Sequence, residues 1–147
     1  MPFETFEHTA DIGLEATGAD LETLMRDVAQ GFFAIVRGDS PVAEKESRRI
    51  DLASKSFERL VVDLLDELIY LTDADGLVFK EMRDLTVETK KTDDGPSYTL
   101  ACTVVGETFD RKKHAGAMHV KAVTRHELSA EPPRDGREGK VRVILDI

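Results

Sequence analysis

The sequence predicts a single α+β domain over residues 1–147: a two-layer sandwich in which a mostly antiparallel or mixed sheet carries two helices on one face. Three observations predict it. Two segments place their apolar residues at helical spacing, and both stripes are one-sided, as in helices laid on a sheet. Most other apolar residues alternate with polar ones, the period of a half-buried strand. The resulting order, β-β-α-β-α-β-β-β-β, groups strands in runs, which favours hairpins over repeated β-α units.

Phe3 to His8 and Ile12 to Ala16 read as the first strands. The first helix follows Asp20, a good N-cap because its carboxylate can accept from the free amides of the first turn. Leu21, Leu24, Met25, Val28, Ala29, Phe32 and Ile35 then form its stripe, and Gly38 is a plausible stop. Arg49 to Leu52 is a short strand. The second helix has Phe57, Leu60, Val61, Leu64, Leu65, Leu68, Ile69 and Leu71 inside, with Glu58, Asp63, Asp66 and Glu67 outside. Ser54 or Ser56 caps it, and Asp73-Ala74-Asp75-Gly76 ends it. Leu85, Val87 and Thr89 alternate, Asp93-Asp94-Gly95-Pro96 turns, and Tyr98, Leu100, Cys102 and Val104 alternate again, a long antiparallel hairpin. Val120 to Leu128 is a further strand, Pro132 to Gly139 a polar loop and Val141 to Leu145 the last strand.

Composition bounds the function. With 147 residues the chain can bury a core without staples, and a single cysteine excludes a disulfide framework and multi-cysteine zinc or iron–sulfur sites. A net charge of −9, from 20 basic against 29 acidic side chains, argues against unaided binding to nucleic acid or an anionic membrane. Met1-Pro2-Phe3-Glu4-Thr5-Phe6-Glu7 has acids where a secretory signal needs basic and apolar residues. The apolar-rich run from Phe57 to Leu71 is broken by charges and too short to span a bilayer. The expectation is a soluble, cytoplasmic chain.

Gly-rich phosphate loops and the Gly-x-Ser-x-Gly elbow are missing. Cys102 lies on a strand face with Leu100 and Val104, which suits an inert buried thiol better than a nucleophile. Three polar features remain. In His8-Thr9-Ala10-Asp11-Ile12-Gly13 the pleat turns Asp11 away from Ile12, Leu14 and Ala16; spacing alone favours a turn cap over a ligand. At the C-terminus Val141, Val143, Leu145 and Ile147 share one face and Arg142, Ile144 and Asp146 the other. An apolar terminus holds its α-carboxylate close to Asp146, and two such charges repel unless a cation or several donors balance them. If Asp11 joins them, the oxygen set suits calcium or magnesium; the plainer alternative is an ion pair of Asp146 with Arg142. The third feature, Glu107 to His126, carries five basic residues (Arg111, Lys112, Lys113, Lys121, Arg125) against two acids, and three of the four histidines: His114, His119 and His126. It reads either as a solvated face or as a docking surface for phosphate, RNA or an acidic partner. His114 and His119 lack the i, i+4 spacing of a helical zinc pair.

Together these features resemble the archease family along essentially the whole chain. The resemblance is carried by Phe6-Glu7-His8-Thr9-Ala10-Asp11-Ile12-Gly13, Ala29-Gln30-Gly31-Phe32-Phe33 and Leu64-Leu65-Asp66-Glu67-Leu68. Gly106-Glu107 with Asp110 and His114, Val120-Lys121-Ala122-Val123-Thr124 and Leu145-Asp146-Ile147 complete it. It implies the SHS2-type α+β fold and a cofactor protein, not an enzyme. The implied function is activation of the RtcB-type tRNA-splicing ligase, which joins cyclic-phosphate or 3′-phosphate ends to a 5′-hydroxyl. The archease assists guanylylation and multiple turnover, and tRNA is met only through the ligase. The implied metal is calcium, with magnesium or manganese possible in the cell, held by Asp11, Asp146 and the terminal Ile147. Lys121 and the basic island around His114 are implied to face the ligase or its RNA. Two other classes stand beside this reading. One is a general chaperone or interaction module without its own catalysis; the other is a metal-dependent hydrolase or phosphotransferase using Asp11, Asp110, His114 and Asp146.

Overall fold

A computed structural model describes residues 11–147. The strand expected at Phe3 to His8, and the His8-Thr9-Ala10 part of the N-terminal motif, lie outside the described residues. Helix α1 (Leu21–Arg37) opens where the Asp20 carboxylate accepts the Thr23 N–H at 2.7 Å, satisfying one donor that a first turn leaves without a partner. It closes at Gly38, where φ is 58° and a side chain would strike the Gly116 carbonyl oxygen, so glycine alone suits the position. Helix α2 (Phe57–Ala74) is capped by Ser56, whose hydroxyl accepts the Arg59 N–H at 3.0 Å. Ser54 instead donates to Asp63 at 2.7 Å. The helix runs on past Leu71 to Ala74 before Gly76 turns the chain at φ 65°.

The described strands are β1 (Asp11–Gly18), β2 (Glu46–Ser54), β3 (Leu77–Thr92), β4 (Gly95–Thr108), β5 (Ala122–Glu131) and β6 (Gly139–Asp146). The α+β class and the two helices agree with the sequence. Hydrogen bonding divides the strands into two three-stranded sheets, β1-β6-β5 and β2-β4-β3, where the period alone suggested one. Every pair is antiparallel. Helix α1 packs on β1 and β6 of one sheet and β3 of the other; α2 packs on β5 and on β2, β3 and β4. The helices thus join the sheets through one buried cluster that includes Leu24, Leu64, Leu68, Leu100, Cys102, Val143 and Leu145. Each large aliphatic side chain removed from water there contributes roughly 1.5–3 kcal/mol.

The alternation is broken within two strands, β3 and β5, and the reason is the same in both. Strand β3 begins with three consecutive buried residues, Leu77, Val78 and Phe79, and its register with β4 shifts between Phe79 and Glu81 and between Arg83 and Thr86. Asp84 sits at the second irregularity with φ 53°. Strand β5 shifts register between Thr124 and Ser129, with Glu127 at φ 54°. Such bulges exchange the faces of successive residues and erase the period of two.

Candidate functional site

The antiparallel register of β1 and β6 sets Asp11 opposite Asp146 and Glu15 opposite Arg142. Inward-facing Ala16, Val141, Val143 and Leu145 are buried, so the other parity brings these charged residues to the outer face. Arg142 is held by Glu15 at 2.5 Å and Glu127 at 3.5 Å, on the strands either side of it. The ion pair of Arg142 with Asp146, the plainer alternative from sequence, is therefore not formed. Directly opposed residues in such a ladder have Cβ atoms about 4.5–5.5 Å apart, where like charges destabilise the pair. Among the described residues neither Asp11 nor Asp146 has a cationic partner within ion-pair distance.

The start of β5 reaches the same sheet end. Lys121 donates its backbone N–H to the Asp146 carbonyl at 2.7 Å, and Ala122 faces Asp146 in register. The Lys121 side chain is exposed. Ile147 packs partly buried against the core, which keeps its main chain beside Asp146. Asp11, Asp146, Ile147 and Lys121 are thus brought together from three strands.

His114 is elsewhere. The family resemblance implied that the basic island around it faces a partner; His114 itself is only 1% exposed, in the loop between β4 and β5. Its Nδ1 accepts the Asp110 N–H at 2.9 Å, its Nε2 lies 3.4 Å from Glu107 Oε2, and Phe109 stacks on it at 5.8 Å between ring centres. Its neighbours Phe109, Arg111 and Lys112 are exposed. Glu107, a buried carboxylate, is the centre of this corner. Lys113 Nζ at 2.7 Å and the Ala43 N–H at 2.5 Å donate to it and hold its pKa down to about 2 against the opposing effect of burial. Sequence reasoning noted Glu107 only within a motif and a charge run. The available signal was its position directly after the apolar alternation of β4, where a carboxylate must find donors.

Two carboxylates opposed on neighbouring strands, Asp11 and Asp146, are oxygen donors of the kind that suits a hard cation. Among the described residues no three His, Cys, Asp or Glu side chains gather as a metal group, so Asp11, Asp110, His114 and Asp146 do not converge as the hydrolase alternative requires. Asp110 is instead occupied in accepting the Lys112 N–H at 2.8 Å. Cys102 is fully buried and its thiol is pushed up to about 11 by burial, in keeping with an inert thiol. No described helix is long and apolar enough to cross a membrane.

Fold and site together define a small α+β domain that gathers carboxylates at one end of a three-stranded sheet. The family model described as "Archease protein family (MTH1598/TM1083)" matches residues 3–147. A protein archease of Pyrococcus abyssi is 37% identical over 135 residues, covering 92% of each chain. Another, from Methanosarcina barkeri, is 32% identical over 145 residues and covers 99% of this chain and 95% of its own length. The solution structure of Methanobacterium thermoautotrophicum protein 1598 superposes with a TM-score of 0.73 at 32% identity, covering 97% of this chain and 96% of that one. The chain belongs to the archease family.

Proposed function

We propose that this chain is a metal-binding accessory protein that activates an RtcB-type RNA ligase in tRNA splicing and RNA repair. It promotes guanylylation of the ligase and multiple turnover, and it has no catalysis of its own. The observation that carries this reading is the register that opposes Asp11 to Asp146 beside Lys121, in a chain of the archease family. Asp11, Asp146 and the α-carboxylate of Ile147 hold a divalent cation, with calcium the best fit and magnesium or manganese the alternatives in the cell. The cation supplies positive charge where two strands oppose like charges. The chain's own residues then present an acidic patch of fixed shape, with Lys121 at its rim, to the metal or reactive histidine of the ligase. tRNA is met only through the ligase, no membrane is involved, and the site of action is the cytoplasm.

The test is multiple-turnover ligation by the cognate ligase with GTP and manganese, with and without the chain, beside Asp11→Ala and Asp146→Ala. Stimulation lost in both variants is the expected result. Stimulation that survives both would remove the acidic site from the activity, and no stimulation by the unaltered chain would overturn the activator reading. A second reading, a general chaperone or interaction module, draws on the exposed Phe109 and Met118. It predicts suppressed aggregation of many unrelated clients, insensitive to chelator.

A further inference from the structure

The loop between β4 and β5 carries two large apolar side chains in the open, Phe109 at 47% and Met118 at 39% exposure, inside a run of charges. They rim one pocket whose floor is Val36, Leu77 and Val78, all buried. The pocket is built on fixed backbone. Phe109 donates its N–H to the Gly76 carbonyl and Met118 to the Val36 carbonyl, each at 2.7 Å, tying the rim to the start of β3 and the end of α1. The His119–Asp73 pair at 2.8 Å closes the far side against the end of α2. Exposed apolar side chains around a preformed hollow mark a contact surface rather than a core defect.

The charge beside the pocket says what fits it. Of the three consecutive basic residues after Asp110, Lys113 is engaged by Glu107, whereas Arg111 and Lys112 are exposed and make no ion pair among the described residues. In a chain of net charge −9 these two cations lie two and three positions along the chain from Phe109, which lines the apolar hollow. The complement is a large apolar side chain flanked by acids. A stacked RNA base fits less well, because the Phe109 ring already stacks on His114 and the floor is aliphatic. The same loop ends at Lys121, whose backbone is bonded to Asp146. From Met118 to Lys121 the chain spans at most about 10 Å, so the pocket rim and the acidic sheet end lie close along the chain.

We infer that the Phe109–Met118 pocket is a docking point for an acidic segment of the partner ligase that carries one large apolar side chain. This rests on the proposed function and divides the surface in two: the pocket sets affinity, and the carboxylate end acts on the ligase. Met118→Glu and the double variant Arg111→Glu/Lys112→Glu test it, since all three side chains are exposed and the substitutions leave the core intact. The chain is titrated into the ligation reaction to obtain its half-activating concentration and its maximal stimulation. Each variant is expected to raise the half-activating concentration at least about tenfold while reaching the same maximum at saturation, as for loss of a contact residue. The wild-type value should itself rise with salt, through screening of Arg111 and Lys112. Asp146→Ala should do the reverse, losing the maximum.

If the unaltered chain stimulates but both variants activate at the wild-type concentration, the docking inference falls and the activator reading stands. If the unaltered chain does not stimulate, both fall. Binding of a labelled single-stranded RNA oligonucleotide by the chain alone, lost in the double variant, would overturn the inference in favour of an RNA surface.

Discussion

Burial ordinarily raises a carboxyl pKa, yet Glu107 is held at about 2 because the Lys113 ammonium and the Ala43 N–H both donate to it. Its folded pKa thus lies below the ordinary value of 4.5, so its contribution to stability is full above about pH 4.5 and is lost as the pH falls toward about 2. Glu107→Gln should be less stable at neutral pH, and its urea midpoint should fall less steeply than the wild-type midpoint across that window. Parallel pH profiles would show that the carboxylate is not linked to folding. Little of this corner was legible in the sequence, since Ala43 and Glu107 are 64 positions apart and no local pattern joins them. Cys102 is the opposite case. Its alternation with Leu100 and Val104 was enough to place it inside, and it is buried.

Helices and strands are stabilised by different ranges of interaction, and that decides how well each was read. Asp20 and Ser56 cap α1 and α2 through residues three positions away, so both starts were visible in short windows. A strand's fit depends instead on its neighbours. Gly106 in the central strand β4 pairs with Glu46 on one side and Phe79 on the other. A Cβ at Gly106 would meet the Val78 carbonyl oxygen and lie 2.7 Å from the Phe79 Cα, both backbone atoms beside the β3 irregularity. Gly106→Ala is therefore expected to cost about 1–3 kcal/mol, the range for forced overpacking, measured by equilibrium unfolding. Gly13→Ala on β1, with nothing within 4 Å of the new Cβ, is the matched control and should change stability by less than about 1 kcal/mol. Equal effects would mean that the close approach of β3 and β4 relaxes without cost.

At the scale of the molecule, the proposed cation between the opposed carboxylates of Asp11 and Asp146 predicts a stability that depends on it. Calcium added to chelator-treated protein should raise the melting temperature, by the equivalent of about 2.7 kcal/mol when free calcium is a hundredfold above its dissociation constant. The shift should vanish in Asp11→Asn and Asp146→Asn. It should also shrink when the chain is extended beyond Ile147, because the α-carboxylate becomes a peptide carbonyl. A full shift in all three would exclude these oxygens as ligands. Pleat parity in the sequence puts Asp11 and Asp146 on the faces opposite their apolar neighbours, but by itself it left a turn cap and an ion pair with Arg142 as the plainer readings of the two acids. The α+β class, both helices and the position of the main hairpin were legible in the sequence, since periodicity, caps and turn residues act within a few positions along the chain. The opposition of Asp11 to Asp146, the engagement of Arg142 by Glu15 127 positions away, the burial of His114 and the division into two sheets were decided by tertiary structure. Each depends on which strands become neighbours, and that is set by how both helices and both sheets close over one apolar core.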